Sequence, residues 1–236
     1  MIPHRSPVAR HGLFVTGTDT GVGKTLAACA LLHAFSARGW RTAGMKPVAA
    51  GARRCAAELQ NDDVAALAAA GSVAAPRELV NVYCFEPAVA PHIAARAAGV
   101  RIELAPLKRA YDALARQTDI VVVEGVGGFC VPLNDAEDTA DFAVLLQLRV
   151  VLVVGMRLGC LNHALLTAAA INARGLRLAA WIANHIDPDM AHADDNVAAL
   201  ERRLPAPCIA RIPFQRVPEP QHVATLLRMD RLFGMA

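Results

Sequence analysis

The stretch VTGTDTGVGKT, residues 15–25, constrains the fold of this chain more than any other feature of its sequence. It follows an apolar run and precedes an alanine-rich segment, which predicts a strand, a glycine loop and a helix in that order. Glycines let the backbone N–H groups of the loop point into one concavity, and the helix N-terminus adds partial positive charge. Lys24 then suits a terminal phosphate, and the Thr25 hydroxyl suits Mg²⁺. The stretch predicts a phosphate-binding loop, although five residues separate Gly17 from the GKT core where the usual motif has four.

Short β-rich runs alternate with helical, alanine-rich stretches along the chain. We predict strands at 13–16, 42–46, 120–123, 150–154, 178–183 and 208–212, and helices at 24–38, 62–70, 103–117, 139–148, 162–174 and 194–203. This alternation, with several continuous apolar strands, is typical of a mostly parallel sheet covered by helices on both faces. We therefore expect a single α/β domain over residues 1–236, with residues 1–10 flexible.

Composition argues against several classes of protein. The net charge is +3 and no run of Lys or Arg exceeds two residues, which argues against nucleic-acid binding. No apolar run approaches the ~18 residues of a membrane span, and the N-terminus lacks the apolar core of a signal peptide. Six scattered cysteines without a CxxC pair indicate reduced, buried thiols. We expect a cytoplasmic protein without a membrane or nucleic-acid partner.

Polar residues directly follow several predicted strands, at the sheet edge where parallel sheets bind ligands. The chain has 21 arginines and only three lysines, so Lys46, at a strand end, is expected to serve where a compact point charge is needed, such as on a phosphate or carbamate oxygen. Glu124 closes a buried strand and is a candidate Mg²⁺ ligand together with Thr25. Asp62 and Asp63 begin a helix, and either is a candidate third ligand or an ordinary helix cap.

Two further strand ends have two interpretations each. The loop GMRLGCLNH, residues 155–163, enters a helix, so its N–H groups suit an anion such as a substrate carboxylate. Ordinary helix capping has the same pattern. Asn184 and His185 follow another strand, where the amide of Asn184 suits either the edge of a base or a turn.

Together these motifs resemble those of the dethiobiotin synthetase family, enzymes of biotin synthesis. The matching stretches run in family order over almost the whole chain: GTDTGVGKT (17–25), AGMKPVAAG (43–51), NDD (61–63), APH (90–92), VEGVGG (123–128), LGCLNHALLT (158–167), WIANHI (181–186) and IPF (212–214). A lone GKT core is a weak signal, whereas this ordered set is highly specific. The five-residue gap in the phosphate loop is the form found in this family.

The resemblance implies an ATP-dependent ligase with a phosphate-loop NTPase fold. Such an enzyme converts 7,8-diaminononanoate, CO₂ and Mg·ATP into dethiobiotin, ADP and phosphate, through a carbamate and a carbamic–phosphoric anhydride. Lys24 and Mg²⁺ would neutralise the phosphates, and Lys46 would hold the carbamate. Motif position makes Asp63, rather than Asp62, the aspartate of the metal set.

The resemblance also implies which residues contact each ligand. The nucleotide contacts would be Thr20, Gly21, Val22, Gly23, Lys24, Thr25, Leu26, Asp63, Glu124, Gly125, Val126, Gly127, Asn184, His185, Pro213, Phe214, Gln215 and Glu219. The family is homodimeric, and its LGCxN loop binds the substrate carboxylate across the interface. The substrate contacts would therefore be Lys46 and Ala50 with Leu158, Gly159 and Asn162.

Three positions depart from the family pattern. Ala50 and Ala90 stand where many members have serine, and Gly21 stands where some have glutamate. The departures remove a hydroxyl contact to the carbamate and a carboxylate near the amine. Because they leave the core charges in place, we expect them to affect rate and affinity more than the type of reaction.

A nucleotide-switch ATPase of the plasmid-partition or septum-placement kind is the alternative. Such proteins share the sheet and a related loop, but they work through nucleotide-controlled dimerisation and partner binding. Their loop carries a signature lysine where this chain has Asp19. The C-terminal stretch also lacks a strongly basic amphipathic helix for membrane binding.

Overall fold

A computed structural model describes residues 11–56 and 58–233 of the chain, so the expected flexibility of residues 1–10 lies outside the described residues. The strands are β1 (His11–Gly17), β2 (Thr42–Met45), β3 (Val48–Ala49), β4 (Arg53–Cys55), β5 (Glu58–Gln60), β6 (Tyr83–Cys84), β7 (Ile120–Glu124), β8 (Arg149–Met156), β9 (Leu178–His185) and β10 (Cys208–Ile212). The helices are α1 (Lys24–Ser36), α2 (Asp62–Ala70), α3 (Arg77–Val80), α4 (Pro91–Ala97), α5 (Leu104–Gln117), α6 (Thr139–Leu146), α7 (Cys160–Ala173), α8 (Ala193–Arg203), α9 (Pro220–Leu226) and α10 (Met229–Phe233).

Six of the strands form one central sheet, in the order β10–β9–β8–β1–β7–β2. Every neighbouring pair in it is parallel; Leu13 of β1, for example, lies opposite Val122 of β7 and Arg149 of β8. Successive side chains point to opposite faces, so Val121 and Val123 join one apolar layer and Val122 joins the other. The predicted parallel sheet is confirmed, and the carboxyl ends of its strands meet along one edge.

Helices cover both faces of this sheet, as the sequence predicts. Buried residues of α4, α5, α6, α7 and α8 pack on one face, and those of α1, α2, α9 and α10 pack on the other. Four of the nine buried residues of α1 are alanines, and such small side chains let the helix lie close to the sheet. The short loop from Gly17 to Lys24 keeps the N-terminus of α1 near the end of β1. None of the helices in the described part of the chain is long and apolar enough to cross a bilayer.

The predicted strands and helices are all present, with ends within two residues of the predicted bounds. The short elements were missed, for physical reasons. β4 and β5 pair as a hairpin of mostly exposed residues and so show no apolar alternation. Two exposed ion pairs join it to the neighbouring helices, Arg53 to Asp62 of α2 and Glu58 to Arg77 of α3. α4 and α9 begin with proline, which is favoured at the first helical position, so a usable signal existed for both.

The cysteines are all free, as expected, but they are not all buried. Cys29, Cys160 and Cys208 are buried, and Cys84 is partly buried. The expectation of buried thiols is wrong for the two exposed cysteines, Cys55 and Cys130. Cys55 lies on the β4–β5 hairpin, whose residues are mostly exposed.

Candidate active site

The phosphate loop lies between β1 and α1. Gly23 is the N-cap of α1 with φ of 90°, a left-handed conformation that favours glycine. A Cβ at Gly23 would lie 2.2 Å from Nδ2 of Asn184, so a side chain there would collide with the residue behind the loop. Nδ2 of Asn184 donates a hydrogen bond to the carbonyl of Val22 at 2.9 Å. Asn184 thus supports the loop from β9, and its adenine contact stays a prediction.

Lys24 begins α1, and its side chain folds back over the loop. Its Nζ donates a hydrogen bond to the carbonyl of Asp19 at 2.8 Å. Burial lowers the pKa of Lys24 to about 8, and the nearby charge of Lys46 adds to this shift. A phosphate oxygen carries more negative charge than a carbonyl and makes a stronger partner for an ammonium. An incoming phosphate can therefore draw Lys24 away from Asp19.

Lys46, just after β2, lies between two carboxylates. Its Nζ is 2.5 Å from Oε1 of Glu124 and 2.9 Å from Oδ2 of Asp63, and it donates to the carbonyl of Gly125 at 3.3 Å. The Oγ1 of Thr25 lies 2.7 Å from Oδ1 of Asp63 and 3.0 Å from Oε1 of Glu124. Because β2 and β7 are neighbours in the sheet, the structure brings these predicted side chains together at one strand edge.

The protonation states of this cluster depend on one another. Burial by itself lowers the pKa of Lys46, but the charges of Glu124 and Asp63 outweigh burial, so the net shift is upward. Burial by itself raises the pKa of Asp63, but the charge and hydrogen bond of Lys46 outweigh it, so the net shift is downward. At Glu124 burial dominates and raises the pKa despite Lys46. At neutral pH Lys46 is therefore a cation and Asp63 an anion.

Asp62 and Asp63, which the residues alone left undecided, point in different directions. The N-cap of α2 is Asn61, whose side chain accepts from the N–H of Val64 at 3.3 Å, so neither aspartate is the cap. Asp62 faces solvent and pairs with Arg53 at 2.6 Å. Asp63 faces the cluster. The geometry selects Asp63 as the candidate ligand, in agreement with its motif position.

An open cavity of about 740 Å³ lies above the cluster. Its polar lining includes most of the predicted site: Asp19, Thr20, Gly21, Gly23, Lys24, Thr25, Lys46, Asp63, Glu124, Gly127 and Gly128. The rest of its lining is small and apolar: Ala50, Ala88, Val89, Ala90, Pro91, Val126 and Val131. Such a lining offers polar groups to a polyphosphate and apolar surface to an aliphatic chain.

The donor set at the base of the cavity fits Mg²⁺. Two carboxylates and a hydroxyl are the oxygen ligands that a hard cation prefers. Oε2 of Glu124 is buried and has no hydrogen-bond partner among the described residues, an arrangement that is costly unless a cation or water completes it. Thr25, Asp63 and Glu124 are thus the residues that would hold the ion.

Several predicted site residues lie away from this cavity. Val22, Leu26 and Gly125 adjoin lining residues in the sequence but do not line the cavity themselves. Asn184 and the stretch 213–219 follow β9 and β10, which are neighbours; within that stretch, Oε1 of Gln215 accepts from the N–H of Glu219 at 3.2 Å. The third group follows β8 and belongs to the turn and first residues of α7: Leu158, Gly159 and Asn162. The side chain of Leu158 is 96% exposed.

Asp19 and Arg157 were not predicted to have a role in the site, although both lie at or beside the phosphate cradle, as we call the loop of residues 17–25. Asp19 lines the cavity, and its carboxylate pairs with Arg157 at 2.5 Å. The two residues are 138 positions apart in the chain, so no local pattern reveals the contact. Of the apolar wall at 88–91, the sequence singled out only the APH motif with Ala90, as a departure from the family pattern, and not Ala88 or Val89.

The chain has close relatives among proteins of known name. The family model for an AAA domain matches residues 11–221. The chain is 54% identical over 216 residues to the ATP-dependent dethiobiotin synthetase BioD of Aromatoleum aromaticum, covering 92% of this chain and 96% of the relative. It is 56% identical over 211 residues to the protein of the same name from Ralstonia nicotianae, covering 89% and 91%.

Solved structures share the fold at low sequence identity. A ParA family ATPase from Chlorobium tepidum superposes with a TM-score of 0.54 and 14% identity, covering 96% of each chain. The septum site-determining protein MinD of Pyrococcus horikoshii, complexed with Mg-ADP, superposes with a TM-score of 0.51 and 15% identity, covering 94% of this chain and 88% of MinD. At such identities the likeness establishes a phosphate-loop NTPase fold and nothing about activity.

Proposed function

The chain belongs to the dethiobiotin synthetase family of ATP-dependent ligases, and from this premise we propose that it closes the urea ring of dethiobiotin. The proposed substrates are 7,8-diaminononanoate, CO₂ and ATP, and the proposed setting is the cytoplasm. The observation that supports this most directly is the placement of Lys46. It contacts Glu124 and lines the same cavity as the phosphate loop, and the lining of that cavity has both polar and apolar residues.

The proposed reaction has three steps. One amine of the diamine adds to CO₂ and loses a proton, which gives a carbamate. A carbamate oxygen attacks the γ-phosphorus of ATP, the bond to the bridging oxygen breaks, and ADP leaves. The second amine then attacks the carbamate carbon of the mixed anhydride and loses a proton, while the carbon–oxygen bond to phosphate breaks. Dethiobiotin and phosphate are released.

The residues of the cavity would act mainly through position and charge, as in other phosphoryl transfers. N–H groups of the loop and Lys24 would bind the polyphosphate. Lys46 would hold the carbamate oxygens beside the γ-phosphate and stabilise the charge that builds up there. Mg²⁺, when bound by Thr25, Asp63 and Glu124, would supply charge neutralisation at the phosphate oxygens. The wall at 88–91 would contact the alkyl chain of the diamine.

The test is phosphate release from Mg·ATP by the purified protein, with bicarbonate, in the presence and absence of 7,8-diaminononanoate. We expect release that depends on the diamine, with one phosphate per dethiobiotin by mass spectrometry. Release that ignores the diamine and responds only to a protein or membrane partner would favour the switch-ATPase alternative. The shared fold keeps that alternative open to test, although Asp19 occupies the position of its signature lysine.

We also propose that the loop after β8 completes the site of a second copy of the chain. Leu158, Gly159 and Asn162 do not line the cavity of their own chain, and the exposed helix N-terminus beside them suits a carboxylate. Asn162→Ala should weaken diamine binding. Mixing it with a Lys24→Ala chain should recover part of the activity, because one mixed site then has both residues. If mixing restores nothing, the site does not span two chains.

A further inference from the structure

The ion pair between Asp19 and Arg157 joins two loops of the active-site edge. Asp19 lies in the phosphate loop after β1, and Arg157 follows β8. Because β1 and β8 are parallel neighbours, with Gly17 opposite Val153, the loops that leave them lie side by side. Arg157 Nη2 lies 2.5 Å from Oδ2 of Asp19, and both side chains are about half exposed.

Asp19 has several partners in the cradle. Its Oδ1 accepts from the N–H of Thr20 at 2.7 Å, and its carbonyl accepts from Nζ of Lys24 at 2.8 Å. The loop N–H of Thr20 and the ammonium of Lys24 are both donors of the kind that phosphate-binding loops aim at phosphate. The conformation of Asp19 therefore affects the orientation of these two donors toward a bound phosphate.

A carboxylate beside a phosphate cradle also opposes the binding of a polyanion, because like charges repel. Asp19 lines the cavity, so its charge acts where the polyphosphate is expected. Arg157 offsets that charge by pairing with Oδ2 of the carboxylate. Without a cationic partner, Asp19 would be an uncompensated anion at the cradle.

We propose that Arg157 is a positioning residue for the phosphate loop: through Asp19 it keeps the cradle receptive to the polyphosphate of a nucleotide. The inference rests on the proposed function only in that the loop binds a nucleotide. Arg157 is not proposed to contact the reacting atoms. Its replacement should therefore weaken nucleotide affinity and raise the KM for ATP, with a smaller change in kcat.

The experiment measures Mg·ADP binding by calorimetry in the absence of diamine, for four variants and the unaltered protein. Arg157→Gln should weaken binding by about tenfold, the scale of one uncompensated unit charge several ångströms from a polyphosphate in a solvated cleft. Arg157→Lys should bind within about threefold of the unaltered protein, since a lysine can still pair with Asp19. Asp19→Asn should bind at least as tightly as the unaltered protein. The double variant Asp19→Asn/Arg157→Gln should recover most of the affinity lost by Arg157→Gln.

Two further readouts separate this role from damage to the fold. Added salt screens exposed charges, so the defect of Arg157→Gln should shrink between low and high ionic strength. Melting curves should show that each variant is folded. The proposal is overturned if Arg157→Gln binds Mg·ADP normally, or if the double variant stays as weak as Arg157→Gln. The binding assay contains no diamine, so it does not depend on the proposed reaction. A failure of the proposed reaction would be seen in the separate phosphate-release assay, as release that does not depend on the diamine.

Discussion

Replacing Lys46 by methionine tests how the active site balances its buried charges. Methionine keeps an unbranched stem but removes the ammonium, so Glu124, whose side chain is 0% exposed, and Asp63 lose their shared partner. Removing one partner of a buried ion pair costs about 3–5 kcal/mol. Because the side chain of Asp63 is 41% exposed, water can solvate part of its charge. We therefore expect the free energy of unfolding to fall by about 3 kcal/mol, the lower end of this range.

This loss has a measurable signature in thermal melting. For a domain of this size, about 3 kcal/mol corresponds to a decrease in Tm of about 6–12 °C. Mg²⁺ would bind the same carboxylates, so millimolar Mg²⁺ should recover part of the decrease in the variant and raise the Tm of the unaltered protein less. Phosphate release that depends on the diamine should fall by a factor of at least about 10², while Mg·ADP affinity should stay within a few-fold.

Lys108 provides a matched control for the same substitution. It pairs with Asp112 one helical turn away at 2.6 Å, and both side chains are more than a third exposed. Such exposed pairs contribute about 0.5 kcal/mol or less, so Lys108→Met should leave Tm and activity nearly unchanged. A Tm and an activity of Lys46→Met equal to those of Lys108→Met would rule out a role for Lys46 in balancing the two carboxylates. If Lys46→Met loses both nucleotide binding and activity, the variant is misfolded, and its lost activity says nothing about a catalytic role of Lys46.

Two further pairs of variants, at positions one or two residues apart, should have contrasting effects. Asp63→Asn should reduce the Mg²⁺-dependent rate by about 10–100-fold or more, because Asp63 contacts both Thr25 and Lys46, whereas Asp62→Asn should stay within about twofold in the same rate assay. Gly23→Ala should lower Tm and abolish measurable Mg·ADP binding, because its Cβ would lie 2.2 Å from Asn184. Gly21 has φ of 74°, but a Cβ there would meet open space. Gly21→Ala should therefore lower the free energy of unfolding only by the left-handed backbone strain, about 1–2 kcal/mol. Equal decreases in Tm and in Mg·ADP affinity for both variants would refute the steric argument.

Much of the fold was predictable because its main elements have strong periodic signals. Continuous apolar runs mark the buried parallel strands, and the glycine loop marks the boundary between β1 and α1. The polar residues after β2 and β7, Lys46 and Glu124, could be assigned to one sheet edge because parallel strands bring their carboxyl ends together. The structure shows these two side chains in direct contact.

The rest depends on contacts that a sequence pattern does not encode. Whether Asp62 or Asp63 faces the cluster is set by the rotation of α2 about its axis, and packing of its buried residues Val64, Leu67 and Ala70 fixes that rotation. The pair between Asp19 and Arg157 depends on the order of strands in the sheet, which places β8 beside β1. Strand order is a property of the packed chain, so local periodicity could not reveal it.

The surroundings of Lys24 and Lys46 explain why lysine, rather than arginine, suits these two positions. Two of the three lysines lie in the cavity, in different surroundings: Lys24 bonds a carbonyl, and Lys46 bonds two carboxylates. The first can move to an incoming phosphate, while the second offsets the repulsion that would otherwise keep Asp63 and Glu124 apart. A planar guanidinium at position 46 would engage the carboxylates through its fork of donors and occupy the oxygens that a cation needs. With the compact ammonium of Lys46 in place, Oε2 of Glu124 has no hydrogen-bond partner among the described residues. Lysine therefore suits a site that holds two carboxylates together and leaves an oxygen for the proposed Mg²⁺.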